Sequence, residues 1–127
     1  MARKLRFAPP GYWYHVTQRG NYRQKTFFSA ADYTFFLTLL ADQAALCDVS
    51  ILGLCLMPNH FHLIAQPRAE DALSRFLQRA TSQYAYTLHH RLRRRGRLWQ
   101  GRFYSCLLGT DAYLATALRY VERNPKE

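Results

Sequence analysis

Acidic residues are scarce in this chain: 8 Asp and Glu stand against 18 Lys and Arg in 127 residues, a formal net charge of +10. Such a deficit of negative charge points to a polyanionic partner, whose condensed counterions are released as its phosphates are neutralised. Cysteine is sparse too. Cys47, Cys55 and Cys106 are odd in number, lie in apolar surroundings and lack Cys-x-x-Cys spacing, which excludes a disulfide framework and a zinc knuckle and leaves buried free thiols as the expectation. No stretch approaches the roughly 20 apolar residues that cross a bilayer, and Met1 to Phe7 lacks the apolar segment of a secretory signal. A soluble, cytoplasmic protein without a membrane partner is expected. There is no linker, repeat or low-complexity segment. At 49% hydrophobic content, residues 1–127 are enough for one domain whose core needs neither cross-links nor structural metal.

The basic excess is local. Arg91, Arg93, Arg94, Arg95 and Arg97 fall within one short segment, with Arg102 just beyond. Nucleic acid is the leading partner for such a cluster. A solvated basic surface or a patch for anionic lipid is the alternative, but a lipid-binding helix shows apolar residues opposite its charges. Arg93-Arg94-Arg95-Gly96 reads instead as a helix end passing into a loop.

Hydrophobic periodicity divides the chain into seven elements. Gly11 to Gly20 is aromatic and β-branched between glycines, a first strand followed by a polar turn at Gly20-Asn21. Ser29 or Asp32 caps the next element, in which Tyr33, Phe36, Leu37, Leu40 and Ala44 recur at helical spacing until Cys47-Asp48. Val49 to Met57 is a short apolar run, Pro58-Asn59 a tight connection, and His60 to Gln66 its returning neighbour. Leu73, Phe76, Leu77, Ala80, Tyr84 and Leu88 form one stripe of a long helix that starts at the acidic pair Glu70-Asp71 and stops at Gly96. Arg102 to Leu108 reads as a fourth strand, and Thr110 or Asp111 caps a last helix running to Asn124 before Pro125. This order, βαββαβα, predicts an α+β fold: a ferredoxin-like βαββαβ sandwich with an antiparallel sheet, helices on one sheet face, the other face open, and an added C-terminal helix.

The most informative motif is His60-Phe61-His62. On a strand, alternate side chains share a face, so both imidazoles can reach one metal ion while Phe61 turns into the core. A half-exposed strand with two solvated histidines is the plain alternative. In the last helix Tyr120 and Asn124, four residues apart, also share a face. Taken alone, Tyr120 reads as a core aromatic, since Leu114, Ala117, Leu118 and Val121 give that helix an apolar side, and Asn124 as a C-cap. On spacing alone those plain readings are preferred, but two imidazoles, an amide oxygen and a phenol in a basic domain would together complete a metal site with a nucleophile.

Tyr14-His-Val-Thr-Gln-Arg-Gly-Asn21, Cys55-Leu-Met-Pro-Asn-His-Phe-His-Leu63, Trp99-Gln-Gly-Arg-Phe103 and Arg119-Tyr-Val-Glu-Arg-Asn-Pro125 resemble, in order, the successive motifs of REP-associated tyrosine transposases. These belong to the single-tyrosine HUH endonuclease superfamily, and the resemblance spans nearly the whole chain. It implies His60 and His62 as metal ligands, Asn124 as the third, and Tyr120 as the nucleophile. It implies Mg²⁺ or Mn²⁺ rather than zinc, a 5′-phosphotyrosine intermediate, and single-stranded DNA with a hairpin beside a specific tetranucleotide as substrate. In the family the chain commonly continues well beyond the Asn-Pro, whereas two residues follow Pro125 here, so a C-terminal tail is an expected difference.

The DNA backbone would be followed by Arg3, Lys4, Arg6, Arg19 and Arg23 together with Arg91, Arg93, Arg94, Arg95, Arg97 and Arg102, and one or two of Tyr12, Trp13, Trp99 and Tyr104 would stack on bases. His15, His89 and His90 read as surface or packing residues. A monomer and a homodimer are both compatible with the sequence. Two rival readings stay open: a non-catalytic nucleic-acid-binding module with a ferredoxin-like sheet, and a metal-dependent hydrolase in which water attacks.

Overall fold

The computed structural model describes residues 8–123, with the backbone alone of Ala112, Glu122 and Arg123. Its elements are β1 (Trp13–Arg19), α1 (Ala30–Cys47), β2 (Val49–Met57), β3 (His60–Pro67), α2 (Ala72–Leu92), β4 (Tyr104–Leu108) and α3 (Asp111–Arg123). The strands form one sheet in the order β2-β3-β1-β4, every neighbouring pair antiparallel. This is the predicted ferredoxin-like arrangement. It follows from strand length and alternation, because β1 buries Tyr14, Val16 and Gln18 while Trp13, His15 and Thr17 face the other way.

One sheet face carries α1 and α2. The apolar stripe of α2 is buried along its whole length at Leu73, Phe76, Leu77, Ala80, Tyr84 and Leu88, and it meets Phe36, Leu39 and Leu40 of α1 over Val16, Phe61, Leu63 and Ala65 of the sheet. At the centre lies an aromatic cluster in which Phe61 packs against Phe36 at 5.1 Å and Trp99 at 5.5 Å between ring centroids. Truncating a buried aromatic of this kind to alanine typically costs about 3–5 kcal/mol. Phe61 therefore fixes which way its two histidine neighbours point.

The opposite face is not open as the sequence suggested. α3 lies across it, with Val121, Leu114, Ala117 and Leu118 packed on Cys55, Ile64, Trp13, Met57 and Leu108. The approach is close at Gly53, where an added Cβ would come within 2.6 Å of Leu118 Cδ1. Other local expectations are corrected as well. α2 ends at Leu92, with Arg93 left-handed at φ 54°, three residues before Gly96. β4 begins at Tyr104 rather than Arg102. Cys47 and Cys55 are buried, but Cys106 is exposed.

Both capping candidates for α1 are used. Ser29 is the N-cap and accepts from the Asp32 amide at 3.4 Å, while Asp32 Oδ2 accepts from the Phe28 amide at 2.8 Å. Asp32 Oδ1 also accepts from Arg91 at 2.7 Å, tying the start of α1 to the end of α2. Burial by itself raises the Asp32 carboxyl, but the bonds from Arg91, Phe28 and Ser29 together carry it below its ordinary value. Asp32→Asn is accordingly expected to lower stability at pH 7 by about 1–3 kcal/mol in urea denaturation. A depressed folded-state pKa stabilises above the unfolded value near 4 and loses that contribution as pH falls through the folded value. The gap between wild type and variant should hence narrow on acidification.

Candidate active site

Because Phe61 is sealed in the core, His60 and His62 point to the sheet face that α3 covers. Their ring centroids are 5.0 Å apart, nearly perpendicular. Tyr120 follows the buried stripe of α3 at its flank and is 54% exposed, so it is not the core aromatic that its neighbours suggested. Its ring meets the His62 ring edge-on at 5.7 Å. Two imidazoles and a phenol thus share one corner of the sheet. Asn124 lies outside the described residues, one position beyond the end of α3.

His60 Nδ1 lies 2.8 Å from Asn59 Oδ1, and Asn59 Nδ2 donates to the Arg23 carbonyl at 3.5 Å. An amide oxygen can only accept, so His60 carries its proton on Nδ1 and presents the Nε2 lone pair. His62 Nδ1 lies 3.1 Å from His15 Nε2 and 3.3 Å from Thr17 Oγ1. The His15 and His62 rings are stacked at 5.3 Å, and His15 meets Tyr120 edge-on at 6.2 Å. In the tautomer that donates from Nδ1 to either neighbour, His62 Nε2 is likewise available.

Burial lowers the basicity of all three rings. Arg19, opposite His60 in the β1–β3 register, pushes His60 down further. His62 is pushed down to about 4, first by burial and then by the charges of His60, His15 and Arg19. These imidazoles are neutral at physiological pH, the state that ligates a metal. Neutral nitrogen lone pairs braced by hydrogen bonds fit a divalent ion. Among the described residues no three His, Cys, Asp or Glu side chains form a metal cluster.

The basic segment reaches the same end of the sheet. The loop after α2 is tied across the end of β1 by Asn21 N to Leu98 O at 2.8 Å and Gln100 N to Arg19 O at 2.8 Å. Gly20 bridges to Trp99, and its amide donates to Asn59 O in the β2–β3 turn at 2.8 Å. A Cβ on Gly20 would lie 2.2 Å from the Gln24 carbonyl, so no larger residue fits this crossing. Arg19, Arg23, Arg93, Arg95 and Arg97 are exposed near it. Arg91 is engaged with Asp32, and Arg94 donates to Gln24 Oε1.

The sequence model of the transposase IS200-like family matches residues 10–124. The chain belongs to that family. Among solved structures it is similar to a REP-associated tyrosine transposase bound to a REP hairpin, with a TM-score of 0.80 at 17% identity over 99% of this chain and 73% of the other. It is also similar to a Deinococcus radiodurans R1 protein described as a transposase, with a TM-score of 0.63 at 17% identity, covering 96% and 97%. No curated protein sequence matches.

In this IS200-like transposase the candidates sort differently from the sequence expectation. His60, His62 and Tyr120 come together. Arg3, Lys4 and Arg6 lie outside the described residues. His15, set aside as a packing residue, touches both His62 and Tyr120, and the signal that could have found it is the alternation that puts it beside Thr17 on the face opposite Tyr14 and Val16. His89 is half-buried with neither ring nitrogen partnered among the described residues, and His90 stacks on Tyr86 at 6.3 Å. Of the stacking candidates, Trp99 is core, its Nε1 donating to Thr81 O at 3.0 Å, and Trp13 packs beneath α3. Tyr12 and Tyr104 are exposed. No described helix is long and apolar enough to cross a membrane.

His15→Phe keeps a ring in the stack but removes the acceptor facing His62 Nδ1. Long-range ¹H–¹⁵N NMR of the metal-free protein should show His62 shifting toward the Nε2–H tautomer. An unchanged His62 tautomer would assign its orientation to Thr17 alone.

Proposed function

We propose that this transposase is a metal-dependent, single-stranded DNA endonuclease and strand transferase that cuts at hairpin-associated sites through Tyr120. The observation that carries the reading is the edge contact between the Tyr120 and His62 rings at 5.7 Å, beside His60. It sets the phenol at a paired-imidazole site on a chain of net charge +10. The REP hairpin bound by a protein of this fold supports hairpin DNA as the partner class.

His60, His62 and Asn124 would hold the divalent ion, Mg²⁺ or Mn²⁺. When bound, such an ion neutralises charge on non-bridging phosphate oxygens and fixes their position. Asn59 and His15 brace the two imidazoles. The half-exposed Tyr120 ring admits a flexible single strand for in-line approach. Tyr120 Oη bonds to phosphorus as the bond to the 3′-oxygen breaks. The phenol loses its proton, and the departing 3′-oxygen gains one. The 5′-phosphate stays on Tyr120, so the bond energy is retained and a 3′-hydroxyl of another strand can reverse the step without ATP. Exposed arginines at the sheet end would follow the flanking backbone, which makes binding salt-dependent.

Hairpin oligonucleotides with randomised single-stranded flanks, incubated with protein and Mn²⁺, should yield an adduct that survives denaturation. Tyr120→Phe should abolish it while leaving hairpin binding within about twofold, and EDTA should abolish it in the wild type. Cleavage that persists in Tyr120→Phe would instead indicate attack by water, and binding without cleavage a recognition module.

A further inference from the structure

We infer that Tyr104 on β4, with Arg19, Gln100 and Arg102, forms a subsite for the nucleobase of single-stranded DNA next to the bond cut at Tyr120; this inference rests on the proposed function. Its basis is a row of residues across the sheet. Thr17 lies opposite His62 on one side and opposite Tyr104 on the other. Residues directly opposite in neighbouring strands project from the same face, so His62, Thr17 and Tyr104 stand side by side. Thr17 Oγ1 is 3.3 Å from His62 Nδ1, which ties the row to the candidate metal site.

Two strand spacings of about 4.8 Å separate His62 from Tyr104, roughly 10 Å in all. One nucleotide with its base splayed outward bridges such a distance. On the Tyr104 side of Thr17 lies an open recess of about 410 Å³ lined by Thr17, Arg19, Gln100, Arg102 and Tyr104. Its composition suits a nucleotide: an aromatic ring 70% exposed to the solvent, two guanidinium groups for a phosphate, and an amide with both donor and acceptor for a base edge. A tyrosine on an edge strand needs no ligand to explain it, since aromatics favour strands. The recess and the register with His62 are what set Tyr104 apart from Tyr12, equally an exposed aromatic.

Stacking on an aromatic ring contributes about 1–3 kcal/mol per base, so Tyr104→Ala should weaken binding about 5- to 150-fold. The experiment takes a fluorescein-labelled hairpin oligonucleotide, selected for wild-type binding from a pool with randomised flanks. Its affinity is measured by anisotropy in EDTA, with an abasic site at each single-stranded position in turn. Tyr104→Trp should bind like the wild type. The Tyr104→Ala defect should vanish when the abasic site occupies one position, the nucleotide flanking the bond cut in Mn²⁺. A defect of equal size with every abasic oligonucleotide, no defect at all, or a defect tied to a distant position would overturn the assignment. Adduct formation by the wild type on the same oligonucleotide reports separately on the proposed function. Its absence would sink that reading, whereas an adduct with unaltered Tyr104→Ala binding would sink only the subsite.

Discussion

The burial of Phe61 is the constraint on which the candidate site depends. A strand offers only two directions to successive side chains, so sealing one aromatic against Phe36 and Trp99 turns both flanking imidazoles to the far face of the sheet. A one-residue slip of β3 would exchange the faces, placing two polar rings in an aromatic core and an aromatic ring at the polar site. Core packing and the shared direction of the two imidazoles thus impose the same register. The pairing of β3 with both β1 and β2 reinforces it.

The same face needs a helix to bring the phenol. α3 is held by Val121, Leu114, Ala117 and Leu118, and the absence of a side chain at Gly53 lets Leu118 settle close to β2. Tyr120 is thereby left at the flank of the contact rather than within it, its ring against His62 and half its surface in water. A nucleophile for a polymer must be positioned yet accessible. On the other side of the sheet, the Trp99 anchor draws the arginine-rich loop across the end of β1, beside the turn that orients His60 through Asn59. Positive charge and imidazoles meet there because core residues hold the loop.

Much of this was legible in the sequence, and the remainder divides by physical range. Helical stripes and strand alternation are local, and they gave α1, α2, the β2–β3 hairpin and the shared direction of His60 and His62. Which strands become neighbours is not local. His15 was misjudged because its distance from His62 in sequence, 47 residues, conceals their diagonal approach across β1 and β3, where His15 lies opposite Ile64 and Thr17 opposite His62. Trp99 resembled a base-stacking residue because it sits among arginines, but the loop folds back and buries it. α3 was read correctly as amphipathic, yet its stripe does not say which sheet face receives it. Arg93 ends α2 in a left-handed conformation that local rules reserve for glycine, and the turn falls three residues early.

The paired-imidazole face is proposed to serve chemistry at the Tyr120 oxygen. Peptide mapping of the denatured protein–DNA adduct by mass spectrometry tests it most directly, since trypsin cuts after Arg119 and Arg123 and isolates the segment from Tyr120 onward. The expected product is a nucleotide attached through its 5′-phosphate to that segment alone. Attachment at Tyr104, Tyr113 or any other residue would contradict it.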